Sequence, residues 1–219
     1  SGFIFMKSSP TCGLERVKVY DEASQMPQKK GTGLFAQHFI DRYPLIPAED
    51  SGRLQDPAIR ENFMIRVFLF HAWKTEVRTD LSAKNLIAFH SRHKFMLLAH
   101  SQVAYRAAGK RLANLKSEPI ESIADDYIRI VMDGLRHIAS KKNHTNVLLH
   151  LIGFLKQQID SEQKQEILSA IEEYRRGDIP LLVPMTLLKH YVNRHGVPYL
   201  KTQSYWQPHP RELKLRSSL

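Results

Sequence analysis

The chain has 219 residues, with 32 Lys and Arg against 22 Asp and Glu, which gives a formal net charge of +10. Its 42% hydrophobic and 25% charged residues are ordinary for a folded protein and exclude the disordered and collagen-like classes. No apolar run approaches the roughly 18 residues of a membrane-spanning helix. A single cysteine, Cys12, excludes an internal disulfide framework. These features predict a cytoplasmic protein with no membrane partner.

The first 53 residues are rich in turn-forming Pro and Gly, and two short β-prone runs, Phe3–Phe5 and Val17–Tyr20, lie among them. This pattern of turn-forming residues and short β-prone runs predicts an incomplete α/β or loop-rich fragment, too short to close a parallel sheet by itself. Asp56 and Pro57 then form a typical helix start, an N-cap residue followed by proline at the first helical position. Apolar residues at helical spacing predict a linking helix over about 57–74.

The chain opens on Ser1, and the segment Ser1–Met6 has the composition of a buried strand. The segment has neither a positively charged leader nor a small-residue cleavage site, so we do not predict a signal peptide. Two interpretations of this start stay open. Either an initiator Met has been removed, or, as we expect, the chain begins inside a domain whose first part lies upstream.

Beyond residue 75 the hydrophobic periodicity is helical almost throughout. Residues 75–219 hold 22 basic and 14 acidic side chains, against 10 and 8 in residues 1–74, so the second part carries most of the positive charge. The fold class predicted is mainly α: a bundle of about six helices over 75–219, preceded by the fragment and linking helix of 1–74. Helices are predicted over about 82–100, 101–115, 119–140, 145–159, 161–176 and 184–194, with a mostly extended or irregular tail over 199–219.

The first of these helices carries three histidines on one face. His90, His93 and His100 are spaced by three and seven residues, which places them on one side of a helix. Two imidazoles at such spacing can bind one metal ion, with His144 or His150 as a more distant third ligand. A metal site is therefore one interpretation of this face.

Two cations, Arg92 and Lys94, alternate with these histidines, and no acidic residue lies in the same stretch. An anion-binding site is thus a second interpretation. General acid–base or phosphoryl chemistry is a third, provided that the five imidazoles converge in one pocket. A fourth interpretation is that the histidines are buried and hydrogen-bonded within the fold.

Two other segments are candidates for ligand binding. The segment His144–Val147 is predicted as a loop and helix N-terminus, where free N–H groups favour anions and where Asn146 would lie; a simple capping role is the alternative. In the tail, aromatic residues including Tyr205 alternate with Lys201 and Gln203 and precede further cations. Such a pattern suits base stacking and phosphate contacts, and the alternative is an arm that packs back onto the bundle.

Cys12 lies between Pro10 and Gly13, which predicts a tight loop after a strand. A cysteine on such a loop suits an iron–sulfur ligand or a reactive thiolate, and the alternative is a loop cysteine with no role. One cysteine alone cannot hold an iron–sulfur cluster, because such clusters need several protein ligands.

Four motifs in the helical part, in the same order, resemble those of the YbgA family of uncharacterised bacterial proteins, and the resemblance covers about residues 75–216. It implies an all-helical domain and supplies no reaction. The motifs are Leu86–Ser101, His144–His150, Tyr174–Gly177 with Pro180 and Leu181, and Tyr199 and Leu200 with Gln203. The candidate ligand-binding residues are therefore Arg92, Lys94, Asn146, Arg175, Lys201, Gln203 and Tyr205.

The segments Ser9–Gly13 and Gly31–Ala36, with the joining stretch Gly52–Pro57 and Arg60–Phe63, resemble the C-terminal end of the TudS-type thiouracil desulfurases and the sequence that follows it in fused proteins. These often precede a YbgA domain in one chain. In that family three cysteines hold a 4Fe–4S cluster whose open iron takes sulfur from a thiolated base, and Cys12 matches the last of the three. The resemblance implies that a 4Fe–4S cluster forms in a longer protein, which supplies the missing desulfurase part. For this chain by itself it implies neither a cofactor nor desulfurase activity.

Three hypotheses of function follow. The helical part binds RNA, a thiolated nucleobase, a nucleotide or another anionic ligand as an accessory to the desulfurase domain. Alternatively, it is a histidine-based enzyme of unknown reaction, with His90, His93, His100, His144 and His150 as candidate catalytic residues. The third hypothesis is a purely structural module that caps the desulfurase part or forms a homodimer.

Overall fold

The computed structural model describes residues 2–20 and 26–218 and confirms the predicted mainly α class. The chain forms two compact units, Ser1–His71 and Ala72–Leu219, and the division lies close to the predicted domain boundary at residue 74. Within the described residues, no helix is both long and apolar enough to cross a bilayer.

The first unit contains two small sheets and two helices. Strand β1 (Phe3–Phe5) pairs in parallel with β4 (Ala48–Asp50), and β2 (Val17–Val19) pairs antiparallel with β3 (Gln28–Gly31). The two predicted strand segments thus coincide with β1 and β2. Helix α1 (Leu34–Arg42) brings aromatic rings against those of β1, because neither element can bury its apolar side chains alone.

Helix α2 (Pro57–Ala72) begins where the sequence predicts. The Asp56 carboxylate accepts hydrogen bonds from the backbone N–H groups of Ala58 and Ile59, at 2.8 and 3.1 Å, as an N-cap residue does. A short 3-10 turn, Arg53–Gln55, precedes it.

Near the start of the second unit lies a single π-helical turn, Trp73–Val77. Trp73 is 2% exposed and packs its indole on the rings of Phe89 and Tyr127, which fixes this segment against the bundle. The six long helices that follow match the predicted number. They are α3 (Ala83–His100), α4 (Gln102–Leu112), α5 (Ile120–Gly134), α6 (Lys141–Gly153), α7 (Ser161–Arg176) and α8 (Leu182–Arg194).

Local capping explains several of these boundaries. The hydroxyls of Ser82 and Ser101 accept hydrogen bonds from backbone N–H groups three residues on, at the starts of α3 and α4. Asp160 and Gln163 form a capping box at the start of α7. Gly177 ends α7 with a φ of +98°, a left-handed conformation that suits glycine.

The predicted boundaries of α5 and α6 are wrong. Helix α5 ends at Gly134 rather than near residue 140, and α6 begins at Lys141 rather than at Thr145. The reason is that Ser140 is the N-cap residue of α6, its hydroxyl accepting from the N–H of Asn143 at 3.2 Å. The segment predicted as a loop and anion-binding helix start therefore lies inside the helix, and the Thr145 hydroxyl donates to the Lys141 carbonyl instead of capping.

The tail contains short helical elements where the sequence predicts a mostly extended or irregular segment. It folds into a short helix, α9 (Pro198–Lys201), and 3-10 turns at Ser204–Trp206, Arg211–Leu213 and Leu215–Ser218. These short elements close the main core, because their large apolar side chains would otherwise face water. The core contains side chains of α3, α6, α7, α8 and the tail, among them Phe95, Leu98, Leu148, Leu151, Ile171, Leu188, Leu200, Tyr205 and Trp206.

Candidate functional site

The three histidines of α3 do not share one partner. The Nδ1 atom of His90 lies 3.2 Å from the hydroxyl of Tyr127 in α5. His93 is buried, and its Nδ1 lies 2.9 Å from the hydroxyl of Ser204 in the tail. His100 is buried, and its Nδ1 donates to the backbone carbonyl of His137 at 2.6 Å. Each imidazole thus bonds to a different element of the unit.

Burial sets the charge of two of these histidines. It lowers the pKa of His90 to about 4, with a smaller effect from the positive charge of Lys94. It also lowers the pKa of His93 to about 3, with smaller effects from Arg92 and His90. Both imidazoles are therefore neutral at pH 7, which suits hydrogen-bonding roles inside the fold.

The candidates of α6 divide between the core and the surface. His144 is buried, with its Nδ1 2.9 Å from the hydroxyl of Tyr205. Asn146 is half-buried, and His150 is exposed. Across the described part of the chain, no three or more His, Cys, Asp or Glu residues form a group that could hold a metal ion.

The tail candidates Gln203 and Tyr205 are held inside the fold. The Gln203 amide nitrogen donates to the carbonyls of Ser91 and Tyr199, at 3.0 and 3.2 Å, and the residue is 3% exposed. Tyr205 has no exposed surface, and the Arg216 guanidinium donates to its carbonyl at 2.6 Å. Tyr205 therefore has no face on which a base could stack.

The remaining candidate cations each have different neighbours. Arg92 pairs with Glu76 and lines a small cleft of about 370 Å³ together with Asn85 and Thr202. The Lys94 ammonium lies 5.2 Å from the ring centre of Tyr199. Arg175 is exposed and makes two hydrogen bonds to Glu172, and Lys201 is exposed. Since the Glu76 carboxylate neutralises Arg92, the small cleft is not a strong anion site.

The loop of Cys12 is ordered by its own side chains. The backbone N–H of Cys12 donates to the Ser9 hydroxyl at 3.0 Å, and the backbone N–H of Gly13 donates to the Ser9 carbonyl at 2.7 Å. Because Cys12 is the only cysteine of the sequence, the residues present do not fit a 4Fe–4S cluster, which needs three or four protein ligands.

A larger cleft, of about 640 Å³, lies between one face of α8 and the tail. We call it the α8 cleft. Leu182 and Met185 of α8 and Trp206 of the tail form part of its apolar surface, and its volume is typical of small-molecule sites. It is lined by Leu182, Met185, Thr186, Lys189, His190, Asn193, Trp206, Gln207, Pro208, His209, Arg211, Lys214, Leu215 and Arg216.

The ionisable side chains of the α8 cleft are all basic: Lys189, His190, His209, Arg211, Lys214 and Arg216. Neither Lys189 nor Arg211 has a carboxylate within 4.0 Å in the segments that the structure describes. Burial and, to a smaller extent, the nearby charge of Arg211 lower the pKa of Lys189. Two cations thus lie close together without an anion to neutralise them, which favours an anionic ligand.

The α8 part of this cleft, including Lys189, His190 and Asn193, is not among the residues predicted from the sequence. The signal that could reveal it is the spacing of the lining residues of α8, which recur at intervals of three and four and so share one helix face. That face carries cations beside apolar residues. In most helices at the surface of a bundle, apolar and charged residues lie on opposite faces.

Comparisons with known proteins agree with the resemblance of the helical part. A family model described as "Protein of unknown function (DUF1722)" matches residues 94–210. The "Uncharacterized protein YbgA" of Escherichia coli (strain K12) is 35% identical over 159 residues, which cover 72% of this chain and 94% of that protein. No solved structure is significantly similar. The desulfurase resemblance of residues 1–74 stays a prediction, whereas the two matches show that the chain belongs to the DUF1722 family, with YbgA as a relative.

Proposed function

We propose that the helical unit is a binding module for a small organic anion, which it holds in the α8 cleft. The observation that carries this proposal is that the ionisable residues lining the cleft are all basic. An anion entering it would meet Lys189 and Arg211, whose charges repel each other in its absence. The apolar surface of Met185 and Trp206 would cover the remainder of the ligand.

A small ligand fits this arrangement better than an extended RNA. Nonspecific binding of a nucleic acid strand needs cations along a continuous groove or stripe. In this unit several exposed arginines outside the cleft are paired with carboxylates: Arg78 with Asp125, Arg175 with Glu172, and Arg176 with Asp178. Lys189 and Arg211, which have no carboxylate within 4.0 Å among the described residues, instead line a concave surface.

The wider role expected from the sequence, as an accessory to an iron–sulfur desulfurase of thiolated bases, remains a proposal that rests on the resemblance of residues 1–74. An anion-binding module would serve such a partner by holding a phosphorylated substrate. The enzymatic alternative has less support, because His90, His93, His100 and His144 hydrogen-bond to four different partners inside the fold.

The test is ligand-dependent thermal stability of the full chain with inorganic phosphate, octyl phosphate, decanoate, uridine monophosphate and adenosine monophosphate. A ligand that binds only the folded state, at a free concentration of about one hundred times its Kd, adds about 2.7 kcal/mol to the free energy of unfolding. We expect at least one organic anion to raise the melting temperature of the wild-type protein and not that of the double variant K189A/R211A.

The matched control is K164A/R176A, which removes the same two charges from exposed positions of α7 outside the cleft. This control should retain the full stabilisation by the anion. An equal loss in both double variants, or no stabilisation of the wild-type protein by any probe, would refute the proposal.

A further inference from the structure

We propose that the anion held in the α8 cleft is a nucleotide with a terminal phosphate monoester, whose phosphate is bound by Lys189 and Arg211. This inference rests on the proposed function and names its ligand class. The base and sugar would occupy the remainder of the cleft, beside Trp206 and Asn193. Three features of the cleft favour this class over an acyl chain with a charged end group.

The first feature is the pair of cations. Lys189 comes from α8 and Arg211 from the tail, and the charge of Arg211 is close enough to lower the pKa of Lys189, after the larger effect of burial. The Nε–H of Arg211 donates to the side-chain oxygen of Gln207 at 3.1 Å, which fixes the guanidinium at the cleft. A phosphate monoester carries more negative charge than a carboxylate and offers three terminal oxygens to such a pair.

The second feature is a set of neutral polar groups beside the cations. The side chains of Thr186 and Asn193 line the cleft, and neither makes a hydrogen bond to another residue of the described chain. Asn193 lies one helical turn beyond Lys189 on the same face of α8. A side-chain amide can both donate to and accept from the edge of a base, whereas a hydrocarbon chain would leave it unused.

The third feature is a fixed aromatic surface. The indole N–H of Trp206 donates to the carbonyl of Leu200 at 2.7 Å, so the ring is held in one orientation. Trp206 is 8% exposed and lines the cleft together with Met185 and Leu182 of α8. Aromatic and apolar side chains of this kind form the contacts on which bases stack. The volume of about 640 Å³ suits one such ligand.

The experiment is isothermal titration of the full chain with uridine monophosphate, adenosine monophosphate, uridine, inorganic phosphate and octyl phosphate. We expect at least one nucleoside monophosphate to bind about tenfold or more tightly than octyl phosphate, the nucleoside and inorganic phosphate. Lys189→Ala should weaken the binding of that nucleotide by about tenfold or more, the order expected for the loss of one hydrogen bond to a charged group. Asn193→Ala should weaken the binding of the nucleotide and leave the affinity for octyl phosphate unchanged.

The outcomes separate the two proposals. If octyl phosphate binds as tightly as the nucleotides and Asn193→Ala changes neither, the anion cleft stands and the nucleotide class is wrong. If no anion binds, the proposed function itself fails. A short oligoribonucleotide that binds more tightly than either mononucleotide, with an affinity that Lys189→Ala does not change, would also overturn the inference, because its site would lie elsewhere. Circular dichroism and melting curves confirm that each variant is folded.

Discussion

The Nε–H of Arg92 donates to Nε2 of its chain neighbour His93, with the two nitrogens 3.2 Å apart. Nε2 therefore carries no proton, and the proton of the neutral ring lies on Nδ1. Nδ1 can then donate to the hydroxyl of Ser204 at 2.9 Å, and that hydroxyl donates in turn to the Arg92 carbonyl at 3.2 Å. This closed chain of hydrogen bonds ties the tail to α3 and selects one tautomer of His93.

The first prediction concerns that tautomer. Nitrogen-15 NMR of the imidazole should show His93 as the Nδ1–H form, and the spectrum should stay unchanged from pH 8 to pH 5, because burial lowers its pKa to about 3. The variant Ser204→Ala should shift the Nδ1 resonance by removing its partner. A change in the His93 resonances between pH 8 and pH 5 would contradict the assignment.

The second prediction is a loss of stability in mild acid. The folded-state pKa values of His90 and His93, about 4 and about 3, lie below the ordinary value of 6.5. Below pH 6.5 the unfolded chain takes up protons on these histidines that the folded chain does not. Their contribution to the free energy of unfolding is therefore fully present above that pH and decreases as the pH falls. Each histidine lowers the free energy of unfolding by up to about 1.4 kcal/mol per pH unit until its folded pKa is reached.

Urea unfolding of the wild-type protein and of His90→Gln, between pH 7 and pH 4.5, measures this effect. The variant should show a shallower decrease, because one of the two groups no longer titrates. A wild-type slope in His90→Gln would show that His90 does not contribute.

The third prediction separates a structural role of Tyr205 from a ligand-binding role. Tyr205→Phe removes the hydroxyl that lies 2.9 Å from Nδ1 of the buried His144. The free energy of unfolding should fall by about 1 kcal/mol, the usual net value of one hydrogen bond. Anion binding in the α8 cleft should stay within twofold of the wild-type value, since the Tyr205 side chain has no exposed surface. A large loss of binding at unchanged stability would contradict this structural role.

The sequence predicts best those features that depend on neighbouring residues. The caps at Ser82 and Ser101 and the stop at Gly177 involve residues within one helical turn, so a short motif reveals them. The bond of His93 to Ser204 spans 111 positions of the chain. Its residue types are visible in the sequence, but their pairing depends on how the tail packs against α3.

The α8 cleft illustrates the same limit. Its cations Lys189 and Arg211 lie on separate elements, and only the folded tail brings them together. For the histidine face of α3, the sequence predicts the shared helix face but not the hydrogen-bond partners. Its spacing correctly places His90 and His93 on one helix, yet each ring bonds to a different element, α5 or the tail. Spacing along one helix cannot predict which neighbouring element each side chain meets.

The last prediction tests the close packing of α4 against α5 at Gly134, with Gly109 on the exposed side of α4 as the comparison. A Cβ atom at Gly134 would overlap the Cβ of Ala104 and lie 2.9 Å from Cδ1 of Leu97, so Gly134→Ala forces these helices apart. The expected loss is about 1–3 kcal/mol in the free energy of unfolding, as for other overpacked cores. Gly109 in α4 has no neighbour within 4 Å of its added Cβ, so Gly109→Ala should instead stabilise by about 0.5–1 kcal/mol through helix propensity. Urea titration of both variants decides the matter: equal effects, or a stabilised Gly134→Ala, would show that α4 and α5 do not approach this closely.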